Sequence, residues 1–290
     1  MANQRIDTSA RPSPVRGIRS HARGDDIGRA VWKPIPVLAI LFLLVGLSPA
    51  AATRAPVWRA GFERGDFSEW QKREALPGDV AVVRTPVRDG RFASRFSVGP
   101  GDVPGTSGER AELSLDNAVT GATDGQERWY SWSTYFPRDF VPVPDSTWNI
   151  FTQFHETAPD GCHPNVAFQV NTKGATPMIR INVRGGRRDA ATCEPASQRA
   201  WDAVPLRLGQ WSDFVFHVLW SANGTRGFVE LWIDGAQVVP KTRLATLYPG
   251  QGAYLKQGFY RAPTQTISTV YHDAMRVGIT RTDVAPLTAR

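Results

Sequence analysis

The feature that most restricts this chain is a period-two alternation of apolar and polar residues, in segments of strand length separated by Gly, Pro, Asn and Asp. In Val166–Asn171 the apolar set is Val166, Phe168 and Val170, and Gln169 and Asn171 face the other way. In residues 179–184, Ile179, Ile181 and Val183 share one face, and Arg180, Asn182 and Arg184 the other. Residues 213–220 and 228–234 read as further, more buried strands, the second ending in the turn signal Asp234-Gly235. No segment carries a helical period over more than two turns. The 10 Trp, 26 Gly and 22 Pro in 290 residues fit short strands joined by tight turns. The pattern predicts an all-β protein, two antiparallel sheets packed as a jelly-roll sandwich.

The formal charge of +7 invites a nucleic-acid partner, so its location matters. The first 52 residues hold seven basic and three acidic side chains; without them the remainder carries about +3 and shows no basic stripe, which argues against a nucleic-acid partner. Residues 35–47 form the one long apolar run, 13 residues, short of the roughly 20 needed to span a bilayer. Lys33 precedes it, and Ser48-Pro49-Ala50-Ala51-Ala52 follows as small residues that fit a signal-peptidase site. The reading is a signal peptide with a long n-region over 1–52, cleaved near Ala52, ahead of one domain over 53–290 that is secreted to the exterior or periplasm. An uncleaved anchor is the alternative; once cleaved, the chain keeps no stable membrane anchor. In an oxidising compartment Cys162 and Cys193 suit a disulfide, contributing roughly 3 kcal/mol by loop entropy. Two free thiols are the alternative, as is a zinc ion shared with His163, which lacks a second pair of ligands.

Three further segments put chemically able side chains on a polar face. Arg110 and Glu112 share a face opposite Ala111 and Leu113, and Gln153 and His155 share one around a buried Phe154. Tyr254, Lys256, Gly258 and Tyr260 share a third, opposite Leu255 and Phe259. As neighbours, these strands would line one side of one sheet with a polar groove suited to an anionic ligand.

The order and spacing of Arg110-Ala-Glu-Leu113, Gln153-Phe-His155 and Tyr254-Leu-Lys-Gln-Gly-Phe-Tyr260 resemble the three signature strands of the concanavalin-like jelly-roll alginate lyases. With Trp58 to Trp70 as an opening strand and turn, and Gly258-Phe-Tyr-Arg261 late in the chain, the sequence is similar to the glucuronan-lyase and heparin-lyase-like group of polysaccharide lyases over roughly residues 58–280. The resemblance implies a lyase that cleaves an anionic, uronic-acid-containing polysaccharide by β-elimination. It implies that Arg110 and Gln153 bind the uronate carboxylate, that His155 and Tyr260 transfer protons, that Glu112 orients Arg110 and that Lys256 lines the groove beside Tyr254. Ala111, Ser114 and Arg261-Ala262 depart from the alginate-lyase pattern, which bears on alginate as substrate more than on lyase chemistry. Arg180, Asn182, Arg184, Gln169 and Asn171 would extend the groove as subsites if their face is the concave one, and Trp129, Trp132, Trp148, Trp201 and Trp211 are candidates for stacking on sugar rings. A monomer with no required cofactor is expected.

β-Elimination removes the C5 proton of a uronate and expels the oxygen on C4. While the carboxylate is ionised, loss of that proton builds a second negative charge, which Arg110 and Gln153 would neutralise. In glucuronate and mannuronate the proton and the leaving oxygen lie on the same side, so Tyr260 would serve both steps; in guluronate they lie on opposite sides, with His155 the base and Tyr260 the acid. Both routes stay open at this level, as does the identity of the polymer. A non-catalytic carbohydrate-binding module would explain the groove and the tryptophans without needing the Tyr, His, Arg and Gln set. A glycoside hydrolase would need two carboxylates, for which Glu230 and Asp234 offer an i, i+4 pair. A structural calcium ion near Glu63, Asp66 and Asp273 would suit either the lyase or the module; no catalytic metal is expected.

Overall fold

The computed structural model describes residues 57–105, 107–158 and 161–285; the leader expected over 1–52 lies outside them. In chain order the strands are β1 (Trp58–Ala60), β2 (Lys72–Glu74), β3 (Val80–Val83), β4 (Ala93–Val98), β5 (Glu109–Leu115), β6 (Glu127–Phe136), β7 (Asn149–Glu156), β8 (Val166–Asn171), β9 (Met178–Arg188), β10 (Pro195–Pro205), β11 (Gln210–Leu219), β12 (Phe228–Ile233), β13 (Ala236–Arg243), β14 (Ala253–Arg261) and β15 (Ser268–Gly278). One sheet runs β10-β9-β8-β7-β14-β5-β2, the other β13-β12-β11-β6-β15-β4-β3 with β1 added to β15, and every pairing is antiparallel. This is the jelly-roll sandwich that the alternation predicts. The Asp234-Gly235 signal is realised as a two-residue hairpin, with Ile233 paired to Ala236 and both turn residues at positive φ.

The apolar half of each alternating strand meets its counterpart from the opposite sheet. Phe154, Phe168, Val166 and Val170 of the first sheet pack against Tyr130, Trp132, Phe214 and Phe216 of the second, all fully or almost fully buried. Trp132 stacks on Phe214 with centroids 5.0 Å apart and meets Phe168 edge-on at 4.8 Å. Tyr130 keeps its hydroxyl satisfied by donating to the Thr120 carbonyl at 2.9 Å and accepting from Trp220 Nε1 at 3.0 Å.

Alternation fails at one place that matters. Against β8, Ile150 pairs with Gln169 and Thr152 with Phe168, so β7 carries one extra residue at Phe151. The bulge turns Phe151 into the core beside Phe154, three residues on, and frees Ile150 to share the outer face with Gln153 and His155.

Cys162, in the connection from β7 to β8, is bonded to Cys193 in the β9–β10 turn, with Cα atoms 5.5 Å apart. The bond rules out the free-thiol and zinc alternatives. With a sequence separation of 31, loop entropy assigns the bond about 3.7 kcal/mol. A Cys162→Ser/Cys193→Ser variant is expected to unfold in urea with a free energy lower by that amount, and an unchanged midpoint would contradict it.

Candidate active site

β5, β14 and β7 are consecutive in the seven-stranded sheet, so the three polar faces read from the sequence stand side by side. They line a groove of about 550 Å³ to which Arg110, Gln153, His155, Tyr254, Lys256 and Tyr260 all contribute. The register distributes them unevenly. Arg110 faces Tyr260 across the β5–β14 ladder, with its Cζ 3.9 Å from the Tyr260 ring centroid. His155 faces Tyr254 across the β14–β7 ladder, ring centroids 5.5 Å apart. Tyr260 stands opposite Ile150, six residues along β14 from Tyr254. His155 and Tyr260 therefore belong to different rungs of one groove.

Between these ends lies a buried charge cluster. Lys256, 2% exposed, sets its Nζ 2.8 Å from Glu112 Oε2 and 2.7 Å from Glu74 Oε2. Glu112, also 2% exposed, accepts a 2.6 Å hydrogen bond from Gln153 Nε2, which leaves the second amide hydrogen of Gln153 uncommitted. Arg110 Nη1 reaches the carboxylates of Glu74 and Glu112 only at 3.5 Å, longer than a charge-assisted hydrogen bond, and its Nη2 donates to the Ser107 carbonyl at 2.5 Å. Glu112 thus reaches Arg110, but its short contacts go to Gln153 and Lys256. Burial by itself would raise the Glu74 carboxyl; Lys256 and Lys72 override it and hold the group down at about 2. Burial likewise opposes the charge on Lys256, and the two carboxylates outweigh it and raise its pKa.

His155 is titrated the other way. Burial lowers its pKa, and the charges of Lys256 and Arg110 add to the effect, so the imidazole is neutral near pH 7. Its Nδ1 lies 3.1 Å from Glu156 Oε2 and 3.3 Å from the Glu156 carbonyl, two acceptors that fix the proton on Nδ1 and leave Nε2 basic. Burial raises the Tyr254 phenol, keeping it protonated.

At the other end, Tyr260 Oη is 3.4 Å from Ser107 Oγ and its ring meets Trp148 edge-on at 5.2 Å. Gly108, at φ +62°, permits this approach: a Cβ there would collide with both rings. Gly258, at φ +153°, sits in a second bulge, where a Cβ would strike the Ala111 carbonyl and Glu112 Cα of β5. Its carbonyl accepts a 2.9 Å hydrogen bond from His272 Nε2, whose Nδ1 meets Thr134 Oγ1 at 3.1 Å. Burial lowers the His272 pKa to about 3, so this inter-sheet strut is uncharged. Arg261, fully buried next to Tyr260, is bound to Glu109 at 2.9 Å, to Ser268 Oγ and to the Thr266 carbonyl.

Of the subsite candidates, Gln169 and Arg184 line the groove. Arg180 is on the same side of β9 but is spent in a bidentate pair with Asp202 at 2.8 and 2.6 Å, which Asn171 also joins at 3.1 Å. Asn182 is buried beside Ala167 and does not reach the lining. Among the five tryptophans, Trp148 alone lines the groove: Trp132 is core, Trp201 packs against the core, and Trp129 and Trp211 lie on the other sheet against His217 and Tyr135. Glu230 pairs with His217 on that sheet and Asp234 with Arg207 in its hairpin turn, so the carboxylates of the hydrolase alternative flank no common groove. Glu63 caps the amides of Arg91 and Phe92, Asp66 binds Ser68, and Asp273 caps the amides of Arg88 and Asp89. Among the described residues no group of three or more His, Cys, Asp or Glu is arranged to hold a metal ion. A cleft of about 690 Å³ beside β1, lined by Glu63, Asp89 and Arg276 among others, offers neither Tyr nor His. Glu74, Ser107, Ile150 and His163 are lining residues to which sequence reasoning gave no place in the groove. Only His163, adjacent to Cys162 in a loop tied by the disulfide, carried a local signal.

Glu112→Gln would leave Lys256 with one carboxylate in a buried site, an expected loss of about 3 kcal/mol in unfolding free energy. The clamp is also pH-dependent. Because the folded Glu74 pKa lies below its ordinary 4.5, its contribution is complete above pH 4.5 and is lost as pH falls toward 2. Acid titration of Glu74→Gln against the parent should show the difference between them shrinking over that interval.

The comparisons with known proteins bear on the fold and on the family. No curated protein sequence matches the chain. Among solved structures it is similar to an endo-β-1,4-glucuronan lyase from the fungus Trichoderma reesei, at 21% identity over 81% of this chain and 100% of that one, TM-score 0.66. It is also similar to the cellulose-induced protein Cip1, at 15% identity over 77% and 97% with TM-score 0.50, and to the alginate lyase Aly36B, at 10% over 78% and 98% with TM-score 0.50. At such identities these likenesses bear on the fold. A sequence profile described as polysaccharide lyase matches residues 62–276, which contain every groove residue named above, and on that match the chain belongs to the polysaccharide lyase family.

Proposed function

We propose that the protein, exported and freed of its leader, cleaves a gluco- or manno-configured polyuronate by syn β-elimination, with Tyr260 as the proton-transfer residue. One observation carries the reading: Arg110 lies directly over the Tyr260 ring. A uronate whose carboxylate is held by Arg110 and by the spare amide hydrogen of Gln153 has its C5 beside the Tyr260 oxygen. Neutralising that carboxylate lowers the cost of the charge that develops when the C5–H bond breaks. Entering as the phenolate, the tyrosine oxygen takes the C5 proton, the C4–O4 bond breaks as the C4–C5 double bond forms, and the same proton passes to O4 on the same face of the sugar, which returns the phenolate. No second residue is required, which suits Tyr260 standing on a different rung from His155. The glucuronan lyase that the fold resembles acts on a polymer of this configuration.

A second reading has its own support. Neutral His155, basic at Nε2, faces a protonated Tyr254, and such a base and acid would suit anti elimination from guluronate.

The deciding assay follows the ultraviolet absorbance of the unsaturated product with glucuronan, polymannuronate, polyguluronate, heparin and hyaluronan. Glucuronan or polymannuronate is expected to be cleaved, with Tyr260→Phe lowering kcat by about 10³-fold and His155→Asn by about tenfold or less. The reverse order of the two variants, with polyguluronate preferred, would transfer the chemistry to His155 and Tyr254. Binding without any absorbance change would make the protein a carbohydrate-binding module.

A further inference from the structure

The charges of the groove do not cancel evenly. Arg110 and Lys256 are matched by Glu74 and Glu112, while Arg184, projecting from β9 into the same groove, forms no ion pair among the described residues. Its Nη1 meets only the Pro164 carbonyl, at 3.5 Å, and its buried Nε has no hydrogen-bond partner. The nearest acids are already occupied or distant: Glu156 is taken up by His155 and Arg188, and Glu194 acts on Arg184 only through space. A desolvated guanidinium without an anion is costly, and the groove it faces is where an anion would come from.

We infer that Arg184, with His163 beside it, forms a second carboxylate-binding subsite, so that the groove reads two uronates of one polymer chain: one at Arg110 and one at Arg184. This rests on the polyuronate reading above and deepens it. The backbone amide of Arg184 donates to the Asn165 carbonyl at 2.7 Å, and Asn165 directly precedes the β8 residue that pairs with Phe154. His155, Asn165 and Arg184 are thus one row across three strands, which sets the Arg184 backbone about 10 Å from that of His155. Arg110 belongs to the Tyr260 row at the opposite end of the groove. The two cationic centres are separated by strand positions instead of crowded at one sugar. His163 reaches the lining from the residue after Cys162, whose bond to Cys193 ties its loop to the β9–β10 turn. Burial and the charge of Arg184 both lower the His163 pKa, leaving a neutral ring to hydrogen-bond a carboxylate without adding charge.

The test is calorimetric titration of a glucuronan tetrasaccharide, and of the same tetrasaccharide with its carboxylates reduced to alcohols, into Tyr260→Phe and Tyr260→Phe/Arg184→Gln proteins. Loss of one charge-assisted contact should weaken binding of the charged tetrasaccharide by about 10- to 100-fold and of the reduced one by less than about twofold. Tyr260→Phe/Arg184→Lys, which keeps the charge, should retain most of the preference for the charged chain and shows that the site is folded. Equal weakening of both sugars, or none, would overturn the subsite. Product absorbance recorded alongside reports on Tyr260 separately: cleavage in the Tyr260→Phe background would refute the elimination assignment while leaving the charged-versus-reduced comparison readable on a Tyr254→Phe/His155→Asn background.

Discussion

The site depends on the clamp that closes around Lys256. Glu74 comes from β2, Glu112 from β5, Lys256 from β14 and Gln153 from β7, four neighbouring strands joined by contacts of 2.6 to 2.8 Å. Burying the charge of Lys256 or Glu112 alone would be prohibitive; together the two carboxylates exceed Lys256 by one negative charge, which Arg110 balances from 3.5 Å. Their mutual attraction therefore ties together the outer faces of the strands that present Arg110, His155 and both groove tyrosines. With Arg110 counted the charges of the groove floor balance, so the long contacts of Arg110 and the unmatched charge of Arg184 decide how the groove meets an anion.

What stands behind the clamp is equally specific. The bulge at Gly258 is held from the opposite sheet by His272, and the rung next to Arg110 and Tyr260 is locked by the buried Arg261–Glu109 pair. Each of these groups has its hydrogen-bonding capacity engaged by the protein, so the front face inherits rigidity from the back sheet without sharing its chemistry.

Period-two alternation carried the sandwich, the core and the polar faces of β5, β7 and β14, because face and period are local properties of a strand. Register is not local. Nothing within Tyr254 to Tyr260 says that His155 will face the first tyrosine and Arg110 the second; that follows from pairings between distant segments. Glu74 was invisible for the same reason, a lone acid on a three-residue strand that acquires meaning only opposite Glu112. Alternation assigns a tryptophan to one side of its strand, not to one sheet, which is why Trp129 and Trp211 looked equivalent to Trp148. Gly108 has a role only once the Tyr260 and Trp148 rings are in place. Cys162 and Cys193, by contrast, were legible because two cysteines admit a single pairing.

The extra residue at Phe151 sets the phase of β7. Upstream of it the strand counts its faces from Ile150, downstream from Gln153, and the two counts disagree by one. Gln153 and His155 are consequently not a portable pair. A transplant of this strand into another sandwich that began at Gln153 would adopt the host's phase, and in half of all hosts it would bury the histidine and expose Phe154. The transferable unit begins at Ile150, because the instruction that aims the histidine outward is carried by an apolar residue facing the other way.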